Sequence, residues 1–284
     1  MPSPDFRRAF LWACALDVQA RKPGNVSLAS AGHGMQAALF IASAEAAVGP
    51  LCTPGLAVGE RIERAMHATL AVARCNTNLG ILLLCAPLAV ACETWQHPQG
   101  LPALRRGLDE VLQSLDVADA QAAYRAIVAA QPGGLGDAAQ QDVNAAPTVG
   151  LREAMALAAN RDRIAFQYLT GHADIFDLGL PAFEASPQAT DTGSTAAMQR
   201  CFVEFLAAFP DSHIVRKHGA ATAHSVMAEA RPWRERALAG RSLDADPAFA
   251  AWDAALKARA INPGTSADLS VATALVAALC SGMH

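Results

Sequence analysis

An all-α fold, a single compact multi-helix domain over residues 1–284, is what this sequence predicts. Apolar residues recur at helical spacing along almost the whole chain. No run alternates apolar and polar residues with the Val, Ile, Thr and aromatic enrichment of a strand. The hydrophobic share is 52% and the charged share 17%, which suits helices buried on much of their surface and excludes a disordered chain.

The elements follow in order from periodicity and from their stops. A first helix over 4–21 ends at "RKPGN", where Pro23 and Gly24 forbid its continuation. Helices over 35–48 and 55–74 flank the break "GPLCTPG". The run from Leu79 to Cys92 predicts a core helix, and helices over 102–115 and 118–130 follow the break "ETWQHPQGLP". After "AQPGGLG" the pattern predicts a helix over 150–169, then a loop-like stretch at 181–195 that reads as a lid or as an ordinary surface loop. Helices over 194–209, 213–230, 245–259 and 266–281 complete the chain, the last two separated by "INPGT". No break is long or polar enough for a free linker, and no fixed period points to a solenoid.

Composition narrows the function. A net charge of −4 offers no basic face for nucleic acid, so any phosphate-bearing ligand needs local positive charge. The seven cysteines form no C-x-x-C pair, which argues for buried thiols in a reducing cytoplasm rather than a disulfide framework or zinc ribbon. The Leu79–Cys92 run is shorter than the roughly 18–20 residues of a bilayer span, and Pro87 interrupts it. Asp17 ends the apolar stretch near the N-terminus early, so neither export nor a membrane is expected.

The polar clusters sit at helix ends. "RKPGNVSLASAGHGM" brings Lys22, Asn25 and His33 into one loop. In "RCNTNLG", Asn76, Thr77 and Asn78 precede an apolar helix; one suffices as a cap, and with Arg74 the helix start suits an anion. "DSHIVRKHG" gathers Asp211, Arg216, Lys217 and His218 before Gly219, a set suited to a metal–phosphate complex or to a solvated surface. His213 and His218 lack the i,i+4 spacing of a two-histidine zinc site. Along 150–176, Arg152, Glu153, Asp162 and Arg163 suit ion pairs on a wet face. In "NPGTSADL", Pro263 and Gly264 predict a tight turn, Thr265 or Ser266 a cap, and Asp268 a first-turn carboxylate.

Taken in order, "KPGN", "NTNLG", "DSHIVRKHG" and "NPGTSADL" resemble the segments of the triphosphoribosyl-dephospho-CoA synthase family, over about residues 10–280. The last is the most specific. The resemblance implies an all-α enzyme that transfers the 5-triphosphoribosyl group of ATP to 3'-dephospho-CoA with loss of adenine. The chain departs from the family where Gly34 replaces an acidic residue, where Asn78 and Leu79 replace a His-Lys pair, and where Ser212 and His213 replace Thr-Asn. These departures are similar to a divergent branch found among archaea and methylotrophic bacteria. They leave open another acceptor in a one-carbon or methanopterin pathway, and a non-catalytic nucleotide-binding protein.

Such a transfer needs neutralised triphosphate charge, a protonated leaving base and an acceptor hydroxyl relieved of its proton. The resemblance implies that Lys22, Asn25, Arg74, Asn76, Thr77, Asn78, Arg216, Lys217, His218, Asn262 and Ser266 bind substrate, with Asp211 on Mg²⁺. His33 is the expected proton-transfer group, because imidazole titrates near neutrality. Asp162 and Asp268 are the expected carboxylates beside an oxocarbenium-like transition state. ATP and dephospho-CoA, or another small acceptor, are the expected partners, and a homo-oligomer stays open.

Overall fold

A computed structural model describes residues 4–95, 100–133, 140–185 and 191–281. Among these residues there are thirteen α-helices and no strand, as the periodicity predicts. They are α1 (Pro4–Gln19), α2 (Ala37–Leu51), α3 (Val58–Ala73), α4 (Leu79–Ala91), α5 (Gly100–Ser114), α6 (Val117–Ala130), α7 (Leu151–Ala156), α8 (Arg163–Thr170), α9 (Leu180–Glu184), α10 (Asp191–Ala208), α11 (Ser212–Leu238), α12 (Pro247–Ala258) and α13 (Gly264–Ser281).

Two expectations need revision. The helix predicted over 150–169 is broken, because Asp162 accepts from the amides of Ile164 and Ala165 at 2.8 and 3.2 Å and caps a new helix, α8. The loop predicted at 181–195 is partly helical: a π-helical turn over Ile175–Gly179 runs into α9, and α10 begins at Asp191. The middle of that stretch, 186–190, and with it the question of a lid, lies outside the described residues.

The backbone divides into two compact units. One comprises 1–12, 42–173 and 278–284, the other 13–41 and 174–277, and the divisions fall within α1, α2 and α13. In the first, α3 lies so close to α6 that a Cβ at Gly59 would meet the backbone of Asp119, whose Oδ1 accepts from the Gly59 amide at 2.7 Å. The apolar α4 is buried almost throughout. Pro87 deprives the Leu83 carbonyl of its usual helical donor, and the Tyr168 hydroxyl donates to that oxygen at 2.7 Å instead.

In the second unit, α10, α11, α12 and α13 surround a core that includes Phe202, Leu206, Val226, Phe249, Leu256 and Ile261. Gly219 breaks the helical path of α11 with φ 84° and ψ 163°, a region glycine enters freely. Helix α13 is long and apolar enough to cross a bilayer, but 78% of its apolar window is buried inside the protein, as befits a core helix.

Candidate functional site

Within the second unit, three of the four sequence motifs meet around the turn at residues 260–264. Gly24 is pressed against this turn with φ +82°; a Cβ there would lie 2.7 Å from the Ile261 carbonyl and 2.8 Å from the Pro263 ring. This is why Gly follows Pro in "KPGN": the L-residue conformation and the space are both denied. Asn25 donates to Asn262 Oδ1 at 2.8 Å, across 237 positions of sequence. His33 Nε2–H donates to the Gly24 carbonyl at 2.7 Å, which fixes the ring and leaves Nδ1 as the nitrogen turned away from that bond.

The third motif reaches the same turn from α11. His218 Nε2–H donates to the Ala260 carbonyl at 3.1 Å, and the His213 ring packs where a Gly264 side chain would stand. The buried Asp211 ties both helices together: Oδ1 accepts from the amides of His213 and Ile214 at 2.9 and 3.2 Å, and Oδ2 accepts from the amide and hydroxyl of Ser266, each at 2.8 Å. One carboxylate thus caps α11 and α13 at once. The predicted Thr265 or Ser266 cap is therefore replaced by a residue from another helix. Asp268 stands half-buried one turn further along α13, past the first turn expected for it.

The second motif lies in the first unit, and its polar residues have local partners. Asn76 Oδ1 accepts from the Leu79 amide at 3.0 Å, Thr77 donates to the Ser43 hydroxyl at 2.8 Å, and Asn78 donates to Thr69 Oγ1 at 3.1 Å. Arg74 is exposed and closes α3 with φ 56°.

The CitG family model, ATP:dephospho-CoA triphosphoribosyl transferase, matches residues 4–284. The chain belongs to this family. It is therefore a transferase that moves the triphosphoribosyl group of ATP to dephospho-CoA, as the four motifs led us to expect. A crystal structure from Archaeoglobus fulgidus, of a proposed triphosphoribosyl-dephospho-CoA synthase, is similar to the chain with 21% identity and a TM-score of 0.65. The match covers 86% of this chain and all of the other, and it speaks to the shared fold. No curated protein matches the chain significantly.

Burial sorts the transferase's predicted site residues by what their polar atoms are free to do. Lys22 is wholly buried, and its ammonium donates to the Asp17 carbonyl at 2.6 Å and pairs with Asp17 Oδ1 at 3.1 Å. It is a structural cation, contrary to the phosphate contact expected of it. Asp211 spends its carboxylate lone pairs on four protein donors, so a metal ligand is not what this geometry offers. Ser266 is buried against that carboxylate and presents no hydroxyl proton to a substrate. Asp162 caps α8 and belongs to the first unit.

Arg216 and Lys217, with His218 and His33 beside them, make the surroundings of His213 electropositive. Burial first, then the charges of Lys217, Arg216, His33 and His218, push the His213 imidazole down to about 3. Its Nε2 is buried and makes no hydrogen bond within the protein. In the sequence His213 stands out as a departure from the family pattern and as half of a histidine pair without zinc-site spacing; nothing there signals a neutral ring lodged among cations. Burial pushes Asp211 up, while the Ser266 and Ile214 donors and the Arg216 charge pull it back.

Proposed function

We propose that the transferase takes the triphosphate of ATP at the motif cluster of the second unit, with Arg216 and Lys217 as its cationic contacts and His218 beside them. The carrying observation is the convergence of three motifs on the 260–264 turn, beside a histidine that burial first and neighbouring positive charge second hold neutral. A polyanion entering such a group relieves cation–cation repulsion as well as gaining direct charge-assisted hydrogen bonds. In the first unit taken by itself, Arg74 and the helix N–H groups at the start of α4 suit an anion better than the engaged side chains of 76–78 do.

The reaction forms a bond between an acceptor hydroxyl oxygen of dephospho-CoA and the ribose anomeric carbon, and breaks the bond from that carbon to adenine. The hydroxyl proton is lost and a proton is gained by the departing base. His33 is the proposed proton acceptor through Nδ1, since Nε2–H is held by the Gly24 carbonyl and fixes the ring. Asp268 is the proposed carboxylate beside the developing positive charge on the sugar. Asn25 and Asn262, locked to each other, shape the floor.

The described residues contain no group of three or more His, Cys, Asp or Glu side chains able to hold a metal, and Asp211 is fully engaged. Because Mg²⁺ is held largely by substrate phosphates and water, with one or two carboxylates at most, we write the ion as part of the substrate, MgATP. The seven cysteines are all free thiols, which supports a reducing, cytoplasmic setting.

Steady-state adenine release tests the placement. Arg216→Ala and Lys217→Ala should each raise the KM for ATP about ten-fold, the worth of one charge-assisted contact of ~1.4 kcal/mol, and leave the KM for dephospho-CoA nearly unchanged. An unaltered ATP KM in both variants would remove the triphosphate from this cluster.

A further inference from the structure

Loop 20–36 carries Asn25 and His33 but has almost no regular structure of its own: two isolated β-bridges, Ser27 to Ser30 and Gly32 to Met35, are its internal frame. His33 and Gly34 both hold positive φ, 56° and 73°. Something outside the loop must hold this shape, because exposed turns of this kind otherwise sample many conformations. Helix α12 supplies it.

Asp253 is 1% exposed and accepts from the Gly24 amide at 2.9 Å. Lys257, one turn later, donates to the Ser30 carbonyl at 2.9 Å and to the Ser30 hydroxyl at 2.7 Å, and pairs with Asp253 at 3.0 Å. Its stem packs 3.1 Å from where a Cβ on Gly32 would be. Arg21, at the start of the loop, adds a 3.6 Å contact to the same Asp253. The loop is thus gripped at Arg21, Gly24, Ser30 and Gly32, on both sides of Asn25 and just before His33.

We propose that Asp253 and Lys257 are positioning residues for the transfer reaction: they clamp loop 20–36 so that Asn25 and His33 face the nucleotide, without touching it themselves. The inference rests on the proposed nucleotide-facing role of that loop. The ammonium is turned inward, with no donor left over, since Ser30 O, Ser30 Oγ and Asp253 occupy its three N–H bonds. Burial pulls Lys257 below the ordinary lysine range, while Asp253 opposes that shift, as expected of a cation built into the structure. None of these residues belongs to the four motifs, so no pattern in the sequence marks them.

The test compares Lys257→Met, Lys257→Arg, Asn25→Ala and His33→Gln in the full-length enzyme with ATP and dephospho-CoA. Lys257→Met should lower kcat about ten-fold or more with less than a three-fold change in the ATP KM, because a misplaced proton acceptor slows chemistry rather than phosphate binding. Lys257→Arg, able to bridge Ser30 and Asp253, should recover kcat to within about three-fold. Hydrogen exchange should quicken at the Ser27, Ser30 and Met35 amides in Lys257→Met. If that variant fails to fold, Asp253→Asn carries the same expectations.

Three results overturn the proposal. A normal kcat per folded Lys257→Met molecule makes the clamp merely structural. A raised ATP KM with kcat intact makes Lys257 a direct contact. Unchanged kinetics in both Asn25→Ala and His33→Gln refute the nucleotide-facing loop itself, and the clamp then positions nothing; impaired Asn25 and His33 variants beside a normal Lys257→Met refute the clamp alone.

Discussion

Asp211 and Ser266, 55 positions apart, are joined by two hydrogen bonds of 2.8 Å, from the serine amide and from its hydroxyl to the same carboxylate oxygen. The other oxygen caps α11. Two helix starts that carry the third and fourth motifs therefore share one buried acceptor.

Removing it should cost stability more than chemistry. Asp211→Ala loses two caps and strands a buried hydroxyl, together about 3 kcal/mol. Urea unfolding measures this directly. The companion variant Asp211→Asn should show an unchanged Mg²⁺ concentration for half-maximal adenine release; a sharply raised requirement would restore Asp211 as a metal ligand.

Lys22 should behave as half of a buried pair. Lys22→Met leaves Asp17 without its cation in a site where burial already pushes that carboxyl up, at a cost of roughly 3–5 kcal/mol. Among molecules that still fold, the ATP KM should stay within about two-fold of the parent enzyme. A large rise in KM with ordinary stability would return Lys22 to the phosphate site.

Asp268 divides the other way. Asp268→Asn is isosteric on the second turn of α13, so the melting temperature should move by less than ~3 °C, while kcat falls about a hundred-fold through loss of transition-state charge stabilisation. Differential scanning calorimetry and an adenine assay on the same preparation decide it. A folded variant with normal turnover would leave Asp268 no part in the chemistry.

The two inward histidines predict acid sensitivity. Burial pushes His172 down to about 4 and His213 down to about 3, both below the ordinary 6.5. Between those values the unfolded chain binds protons that the folded chain refuses, so stability is full above pH 6.5 and is lost as pH falls toward 4. For the fully buried His172 alone the loss by pH 4 is on the order of 3 kcal/mol. Urea midpoints at pH 7.5, 5.5 and 4.5 should fall in that order, and proton NMR should find neither ring titrating above pH 5. A His172 or His213 resonance titrating near pH 6.5 contradicts the buried, neutral state of that ring.

Periodicity and the Pro and Gly breaks sufficed for the helices: ten of the predicted segments match observed ones to within a few residues except at the C-terminus of α11, because local spacing and chain stops are written in neighbouring letters. Where prediction slipped, at 150–169 and 181–195, short helical turns compete closely, and Asp162 tips one of them by capping. The motifs, too, were legible as a family pattern. What the letters could not assign was the use of each polar atom. Lys22 and Lys217 are both motif lysines in the string; only the folded chain brings Asp253 to Gly24 across 229 positions and Asn262 to Asn25 across 237. Helix formation is decided within a turn or two, whereas capping, ion pairing and burial are decided by partners far away in sequence. That is why the sequence alone determined the helices and the family, and tertiary structure alone separated the buried cation Lys22 and the double cap Asp211 from the exposed Lys217.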